Sequence, residues 1–266
     1  MDKELKQRIQ SLASKYETKD FLPADPSSFM HKVEGAANQE ATAFLASCLS
    51  YGSRKQFFPK IQFIVDAAKG EVDYWVRSGE WRSDIPDTNA CYYRLYTFHD
   101  MHCLFAAYEK MLGEWGSMRE FVADRGAVGA GLADDAGSVM DSAACQSVTG
   151  IEAVAALCDF FANNGAGKVV PKNTTSACKR VCMFLRWMVR TGSPVDLGLW
   201  ADIIDRRTLI MPLDTHVVQE ACKMGLLSSR TASMTTARRL TDAMLEVFPD
   251  DPLKGDFALF GLGVEN

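Results

Sequence analysis

Lys179 is the residue whose surroundings best suit it to act as an amine nucleophile. It lies in the segment ACKRVCMFLRWMVR, residues 177–190, and hydroxyl side chains at 174–176 can cap a helix that starts there. In the first turn of such a helix, unpaired backbone N–H groups and the charge of Arg180 both disfavour an ammonium. Both influences favour the free amine that a nucleophile requires. An ordinary surface lysine is the simpler alternative.

Asp214 is the second residue that could do chemistry. It lies in IMPLDTHVVQEACKMGLL, residues 210–227, where Pro212 ends the preceding segment. Asp214 then stands at a helix start, with its side-chain oxygen placed for N-capping. Capping alone is the simpler interpretation, although Ser, Thr or Asn would cap equally well.

The helix that follows Lys179 is predicted to be amphipathic. At about 100° per residue, its apolar side chains gather on one side. The opposite side gathers Lys179, Met183, Arg186 and Arg190. We expect this basic stripe, together with Arg180, to be exposed and available to DNA phosphates. A solvated face without a ligand is the alternative.

Helical periodicity dominates the rest of the chain. Apolar residues recur at helical spacing in six segments, which begin near residues 41, 58, 104, 151, 181 and 217. Alternating strand patterns are scarce, so the sequence predicts an all-α fold. The stretch 125–150 is rich in Gly, Ala, Asp and Ser and is predicted to be a flexible connection.

The overall composition restricts the class of protein. The chain has 266 residues and is 47% hydrophobic, which allows a substantial core that does not depend on disulfide bonds. No apolar run reaches the roughly 20 residues needed to cross a bilayer, and MDKELKQRIQ has no signal-peptide core. We therefore expect a cytoplasmic protein without a membrane partner. The net charge of −5 argues mildly against nucleic acid, although local charge decides binding.

Cysteine and histidine spacing gives little sign of a metal or cofactor. The eight cysteines include no CxxC pair, so we expect reduced core thiols and no iron–sulfur cluster. A compact cluster, HDMHC at 99–103, could conceivably bind a metal. Asp100 is better explained as a helix cap before LFAAYEKML, and the prediction is no metal and no cofactor.

Two segments carry a resemblance to a known superfamily. PLDTHV, followed by a helix and GLL, resembles the VDTHV segment of the helix-hairpin-helix DNA glycosylases, which include endonuclease III. ACKRVCMF resembles the start of the helix that carries the nucleophilic lysine of bifunctional members. The closest similarity is to the archaeal 8-oxoguanine DNA glycosylase branch and an allied uncharacterised bacterial family, which carry KRxxMFLRWMVR and PLDxH. ATAFLASCLSYGSRKQ and DFALFGLGVEN add weaker similarity to an early and a final helix.

The resemblance implies a fold, an activity and roles for individual residues. The whole chain, 1–266, would form one unit of two helical lobes. It would be a base-excision repair DNA glycosylase and AP lyase that removes an oxidised purine, such as 8-oxoguanine, from damaged double-stranded DNA. Asp214 would stabilise the oxocarbenium-like transition state, and Lys179 would attack the sugar C1′. The candidates to stack on the extruded base are Phe184, Trp187 and Trp200, with core packing as the alternative.

The chain departs from the superfamily pattern at two DNA-contacting segments. NTTSACKR replaces the glycine-containing hairpin that approaches a phosphate, as in GVGRKTA. YGSRKQ replaces the glutamine-rich segment that inserts into the base stack. The resemblance therefore moves base-pair insertion and DNA contact to Tyr51, Arg54, Lys55 and Gln56, and Tyr51 is also a candidate for the base pocket.

Two other classes of protein fit parts of this pattern. A non-catalytic DNA-binding module with the same fold would account for the altered hairpin and the acidic charge. An unrelated helical scaffold would make the motif match a coincidence. The three classes can be separated by measuring binding to abasic-site DNA and to undamaged duplex, together with cleavage. The scaffold should bind neither DNA, the module should bind without cleavage, and the enzyme should bind and cleave.

Overall fold

A computed structural model of the protein describes residues 1–130 and 148–265, and this part is almost entirely helical. The prediction of an all-α fold is therefore confirmed, while the two-lobed glycosylase arrangement stays a prediction. Most of the predicted connection, 125–150, lies outside the described residues. None of the helices described is long and apolar enough to cross a membrane.

The first stretch of the chain carries seven helices and one small antiparallel hairpin. They are α1 Lys3–Tyr16, α2 Ala36–Leu49, α3 Arg54–Ala67, α4 Val72–Arg77, α5 Trp81–Asp84, β1 Cys91–Tyr93, β2 Tyr96–Thr97, α6 Phe98–Trp115 and α7 Met118–Ala130. After the gap follow α8 Gly150–Asn163, α9 Lys179–Val189, α10 Thr215–Lys223, α11 Met234–Leu245 and α12 Lys254–Glu265. Short 3₁₀ helices occupy Lys19–Ala24, Pro26–Phe29 and Arg206–Thr208.

Helix α2 forms the centre of the core. Every residue from 40 to 49 is buried, as expected of a helix that is apolar on all sides. The Phe44 ring stacks on Phe161 of α8 with centroids 4.9 Å apart, and it meets Phe184 of α9 edge-on at 5.7 Å. Phe44 thereby holds helices α8 and α9 against α2, and this contact positions α9 in the core.

From Val181 onward, helix α9 is buried on every side, so the prediction of an exposed basic stripe is wrong for Arg186 and Arg190. Arg186 and Arg190 are only 4% and 1% exposed. Arg186 donates to Asp196 and Asp256, and Arg190 donates to Asp196, Asp251 and Glu17. Buried charges require such partners. Both arginines therefore hold α9 to the surrounding chain and are withdrawn from any DNA phosphate.

The last helix is held closely by its neighbours. Helix α12 packs against α1 and α10. A Cβ atom at Gly261 would overlap the ring of Tyr16, and one at Gly263 would lie 2.7 Å from Cβ of His216. The two glycines of FGLG therefore permit an approach that larger residues would block. Nearer its start, Asp256 of α12 accepts a hydrogen bond from Arg186 of α9.

A candidate active site at the starts of two helices

The structure brings Lys179 and Asp214 together, as the motifs predicted. Lys179 is the first residue of α9 and follows Cys178, whose φ of 45° is left-handed. Its Nζ donates to Oδ2 of Asp214 at 2.8 Å, although 35 residues separate the two along the chain. The two side chains are 31% and 21% exposed, so solvent and a ligand can reach both.

Asp214 both caps a helix and forms the ion pair. Its Oδ1 accepts from the backbone N–H of His216 at 3.0 Å, while Oδ2 contacts Lys179. Burial raises the pKa of this carboxyl, but the charge and hydrogen bond of Lys179 and the amide of His216 outweigh it. The net effect is a pKa below the ordinary value. Asp214 is thus a carboxylate at neutral pH, held in one orientation.

The ion pair lies in the wall of a pocket of about 490 Å³. That volume is within the range of pockets that hold small organic ligands. Five parts of the chain contribute to its walls: the 3₁₀ region near 21–26, the α2–α3 junction, α9, the start of α10, and α12. The site depends on the packing of these elements and not on one motif.

The pocket offers both apolar walls and a buried charged pair. Met183 of α9 and Phe260 of α12 provide apolar surface. Arg186 donates to Asp256, and both side chains line the same pocket. Burial raises the pKa of Asp256 to about 6, and the Arg186 charge offsets this only in part. A ligand here would meet hydrogen-bonding groups beside an apolar surface, a combination typical of binding sites.

Three of the predicted base-stacking residues belong to the core instead. Phe184, Trp187 and Trp200 are each 0% exposed, and none lines the pocket. The Phe184 ring packs against Trp200 at 5.2 Å, and the Trp200 indole donates to Glu40 at 2.9 Å. The prediction for these three residues is wrong because helical spacing does not distinguish a core aromatic from one that stacks on a ligand.

Tyr51 lies at the pocket, as the sequence predicted, and so does Arg54, which was predicted to contact DNA. Arg54 begins α3, where Lys55 and Gln56 follow in an exposed first turn. A helix start with free N–H groups and two cations favours an approaching anion. These four residues therefore form a surface beside Lys179, although their contact with DNA stays a prediction.

Arg180 has a structural contact that the sequence did not anticipate. Its Nη1 donates to the carbonyl of Cys48 and to the hydroxyl of Tyr96, both at 2.5 Å. The guanidinium also lies 5.6 Å from the centre of the Tyr51 ring. Arg180 therefore ties the start of α9 to α2 and to the hairpin, and this nitrogen is not free for a phosphate.

The turn of the β1–β2 hairpin was missed by sequence reasoning. Leu95 at its tip is 73% exposed, and its backbone N–H donates to the Tyr51 hydroxyl at 3.3 Å. Arg94 has a left-handed φ of 52° and lies 5.5 Å over the Tyr51 ring. The tip is thus anchored at the pocket. The only signal in the sequence was an isolated Arg-Leu within CYYRLYTF.

The HDMHC cluster is explained largely by capping. Thr97 and Asp100 form a reciprocal capping box at the start of α6, as expected of Asp100. Asp100 also pairs with Lys168 at 2.6 Å, and His99 contacts Asp87 at 2.5 Å. Within residues 1–130 and 148–265, no group of three or more metal-binding side chains could hold a metal ion.

These features define an all-α protein with a lysine–carboxylate pair in a ligand-sized pocket. The chain belongs to the family described as "Protein of unknown function (DUF2400)", whose model matches residues 25–265. The match includes Lys179, Asp214 and the pocket residues of α3, α9 and α12. No curated protein and no solved structure matches the chain.

Proposed function

We propose that this protein is a DNA glycosylase with AP lyase activity that removes an oxidised purine, such as 8-oxoguanine, from duplex DNA. The observation that carries the proposal is the contact of 2.8 Å between Nζ of Lys179 and Oδ2 of Asp214 in the pocket wall. The resemblance to helix-hairpin-helix glycosylases selects the same two residues from separate motifs.

In the proposed reaction, the bond between the base and C1′ of the sugar breaks and the base leaves with the bonding electrons. The transition state has oxocarbenium character, which the Asp214 carboxylate stabilises electrostatically. Lys179 transfers a proton to Asp214 and attacks C1′ with the freed electron pair. The proton on Asp214 passes to O4′ as the C1′–O4′ bond breaks, the amine gives a second proton to the departed base, and a Schiff base results. Loss of a proton from C2′ then expels the 3′ phosphate by β-elimination.

The pocket has the chemistry needed to hold a purine out of the base stack. Met183 and Phe260 supply apolar surface for the faces of the ring system. Arg186 and Asp256 supply hydrogen-bond donors and acceptors for its polar edge. These residues take the place of the core aromatics in the proposal, because a base pocket must be open to the bound DNA.

The surface beside the pocket supports an approach by duplex DNA. Arg54 and Lys55 supply cations for the phosphates, and Gln56 adds a polar side chain. The exposed Leu95 on its anchored turn is suited to enter the gap that an extruded nucleotide leaves. Apolar side chains placed in this way unstack base steps and reduce the cost of extrusion.

A panel of damaged oligonucleotides, scored for base release and for strand nicking, tests the proposal. Borohydride should trap the wild-type protein on abasic DNA through the Schiff base. Lys179→Gln should abolish trapping while DNA binding persists, and Lys172→Gln, at an exposed site in the preceding loop, is the matched control. Base release without trapping would reduce the activity to that of a monofunctional glycosylase. Neither release nor trapping on any substrate would refute the proposal.

A further inference from the structure

A pair of cysteines lies directly behind the proposed nucleophile. Cys158 of α8 and Cys178 have their Sγ atoms 3.8 Å apart, and Cys178 is the residue that precedes Lys179. Both are buried, at 0% and 3% exposure. We propose that a small peroxide converts this pair into a reversible disulfide that displaces Lys179 from Asp214. The effect on activity rests on the proposed function, whereas formation of the disulfide does not.

Cys178 is the thiol suited to react first. It stands at the N-cap of α9, where the helix start favours negative charge. Its Sγ also contacts Ser176 Oγ at 3.6 Å. The hydrogen bond from Cys158 lowers the pKa of Cys178 below the ordinary thiol value, with burial opposing and Ser176 and Arg180 assisting. Because the pKa of Cys158 is raised and that of Cys178 is lowered, Cys178 is the member of the pair that ionises more readily.

The chemistry requires only a peroxide as oxidant. The Cys178 thiolate attacks one peroxide oxygen, the O–O bond breaks, and the released hydroxide gains a proton to become water. The resulting sulfenic acid is attacked by the sulfur of Cys158, which loses its proton, and the S–O bond breaks to release a second water. Two thiols and one hydrogen peroxide thus give one disulfide and two waters. A dithiol reductant reverses the reaction by thiol–disulfide exchange.

Formation of the Cys158–Cys178 disulfide must move Cys178, the residue that precedes Lys179. The sulfurs must approach from 3.8 Å to about 2.05 Å. Cys158 lies inside α8, where neighbours such as Phe161 are fully buried in the core. Cys178 lies in a non-helical cap with a φ of 45°, so the shift falls mainly on it. Asp214 stays fixed as the cap of α10, and its contact with Lys179 lengthens.

Mapping of the oxidised full-length protein tests formation of the bond. After brief treatment with hydrogen peroxide, the intact protein should lose two hydrogens, and digestion should yield a linked Cys158–Cys178 peptide. Cys158→Ser should not form it, whereas Cys222→Ser, at a half-buried cysteine on α10, should form it normally. A linkage of Cys178 to Cys182, or no linkage involving Cys178, would overturn the proposal.

Borohydride trapping on abasic DNA tests the consequence for the site. Because small displacements of a reacting group are costly, oxidation should reduce trapping by roughly tenfold. A dithiol reductant should restore it, and Cys158→Ser should resist the loss. If the linked peptide forms and trapping is unchanged, control of the site is disproved. If reduced wild-type protein never traps DNA, the proposed function fails, while the peptide map still decides whether the pair reacts.

Discussion

Asp214 carries two roles that one substitution can separate. Its Oδ1 caps α10 and its Oδ2 pairs with Lys179. Asn retains the capping oxygen and loses the charge. We therefore expect Asp214→Asn to fold, with thermal stability at neutral pH reduced only by the loss of one partly exposed ion pair, but to release base ~10²–10³-fold more slowly. Single-turnover base release and a thermal melt measure the two effects. Full activity in this variant would show that Asp214 acts only as a helix cap.

The ionisation of Asp214 should also appear in the pH dependence of stability. Its pKa is lowered in the folded protein, so the unfolded state binds the proton more tightly. The stabilisation is fully present above the ordinary aspartate pKa and is lost as the pH falls through the lower folded value. Thermal melts of wild type and Asp214→Asn, taken from neutral to acid pH, should therefore converge. A constant difference would mean that the charge contributes nothing.

The sequence could predict this pair because each member starts a helix within a recognisable motif. The residues of the opposite wall of the pocket could not be predicted from the sequence. Met183, Asp256 and Phe260 become neighbours only through the packing of α9 against α12. Their spacing on each helix is that of ordinary helical residues, so nothing local distinguishes them from core positions.

At the scale of elements, α9 depends on a buried arginine that should be costly to remove. Arg190 donates to Asp251, Asp196 and Glu17, and its side chain is 1% exposed. Replacing one member leaves carboxylates buried without a partner, which typically costs about 3–5 kcal/mol. We expect Arg190→Met to lower the free energy of unfolding by that amount in chemical denaturation. Arg207→Met is the matched control at an exposed ion pair, with an expected change below about 1 kcal/mol. Similar losses in both variants would contradict the argument.

The boundaries of α9 were predictable from periodicity, but its burial was not. A helix with apolar residues on one side and arginines on the other has the pattern of a surface helix. Here Arg186 and Arg190 instead meet acidic residues that come from other segments, 10 to 70 positions away from Arg186 and up to 173 from Arg190. Local spacing carries no information about such partners.

The hairpin gives a prediction about extrusion of the base. Leu95 is anchored by its backbone at Tyr51 and presents its side chain to solvent. We expect Leu95→Ala to slow base release from paired duplex by about tenfold, equivalent to about 1.4 kcal/mol of lost wedge contact. Trapping on abasic DNA, where no base must be unstacked, should change little. Tyr74→Ala, at a residue of α4 that is 60% exposed, is the control. Equal losses on both substrates would assign Leu95 to general binding.

At the scale of the whole molecule, the proposed function requires an acidic protein to bind a polyanion through a local surface. The net charge is −5, and the burial of Arg186 and Arg190 removes two of the cations that the sequence had offered. Arg54 lines the pocket, and Lys55 and Arg94 lie beside it. Few phosphate contacts are therefore expected, and non-specific affinity should be low. Selectivity would then depend on the extruded base more than on the DNA backbone.

The small number of cations beside the pocket sets the expected salt dependence of DNA binding. Each neutralised phosphate contributes a slope of about −0.9 in log K against log salt, so two or three contacts give a slope of roughly −2 to −3. Lys55→Glu should reduce the magnitude of the slope by about one contact. Lys110→Glu makes the same charge change on α6, where Lys110 pairs with Glu114 and does not line the pocket. Binding isotherms over a range of salt concentrations measure both slopes. Equal changes in the two variants would show that total charge, and not the surface beside Lys179, governs the interaction with DNA.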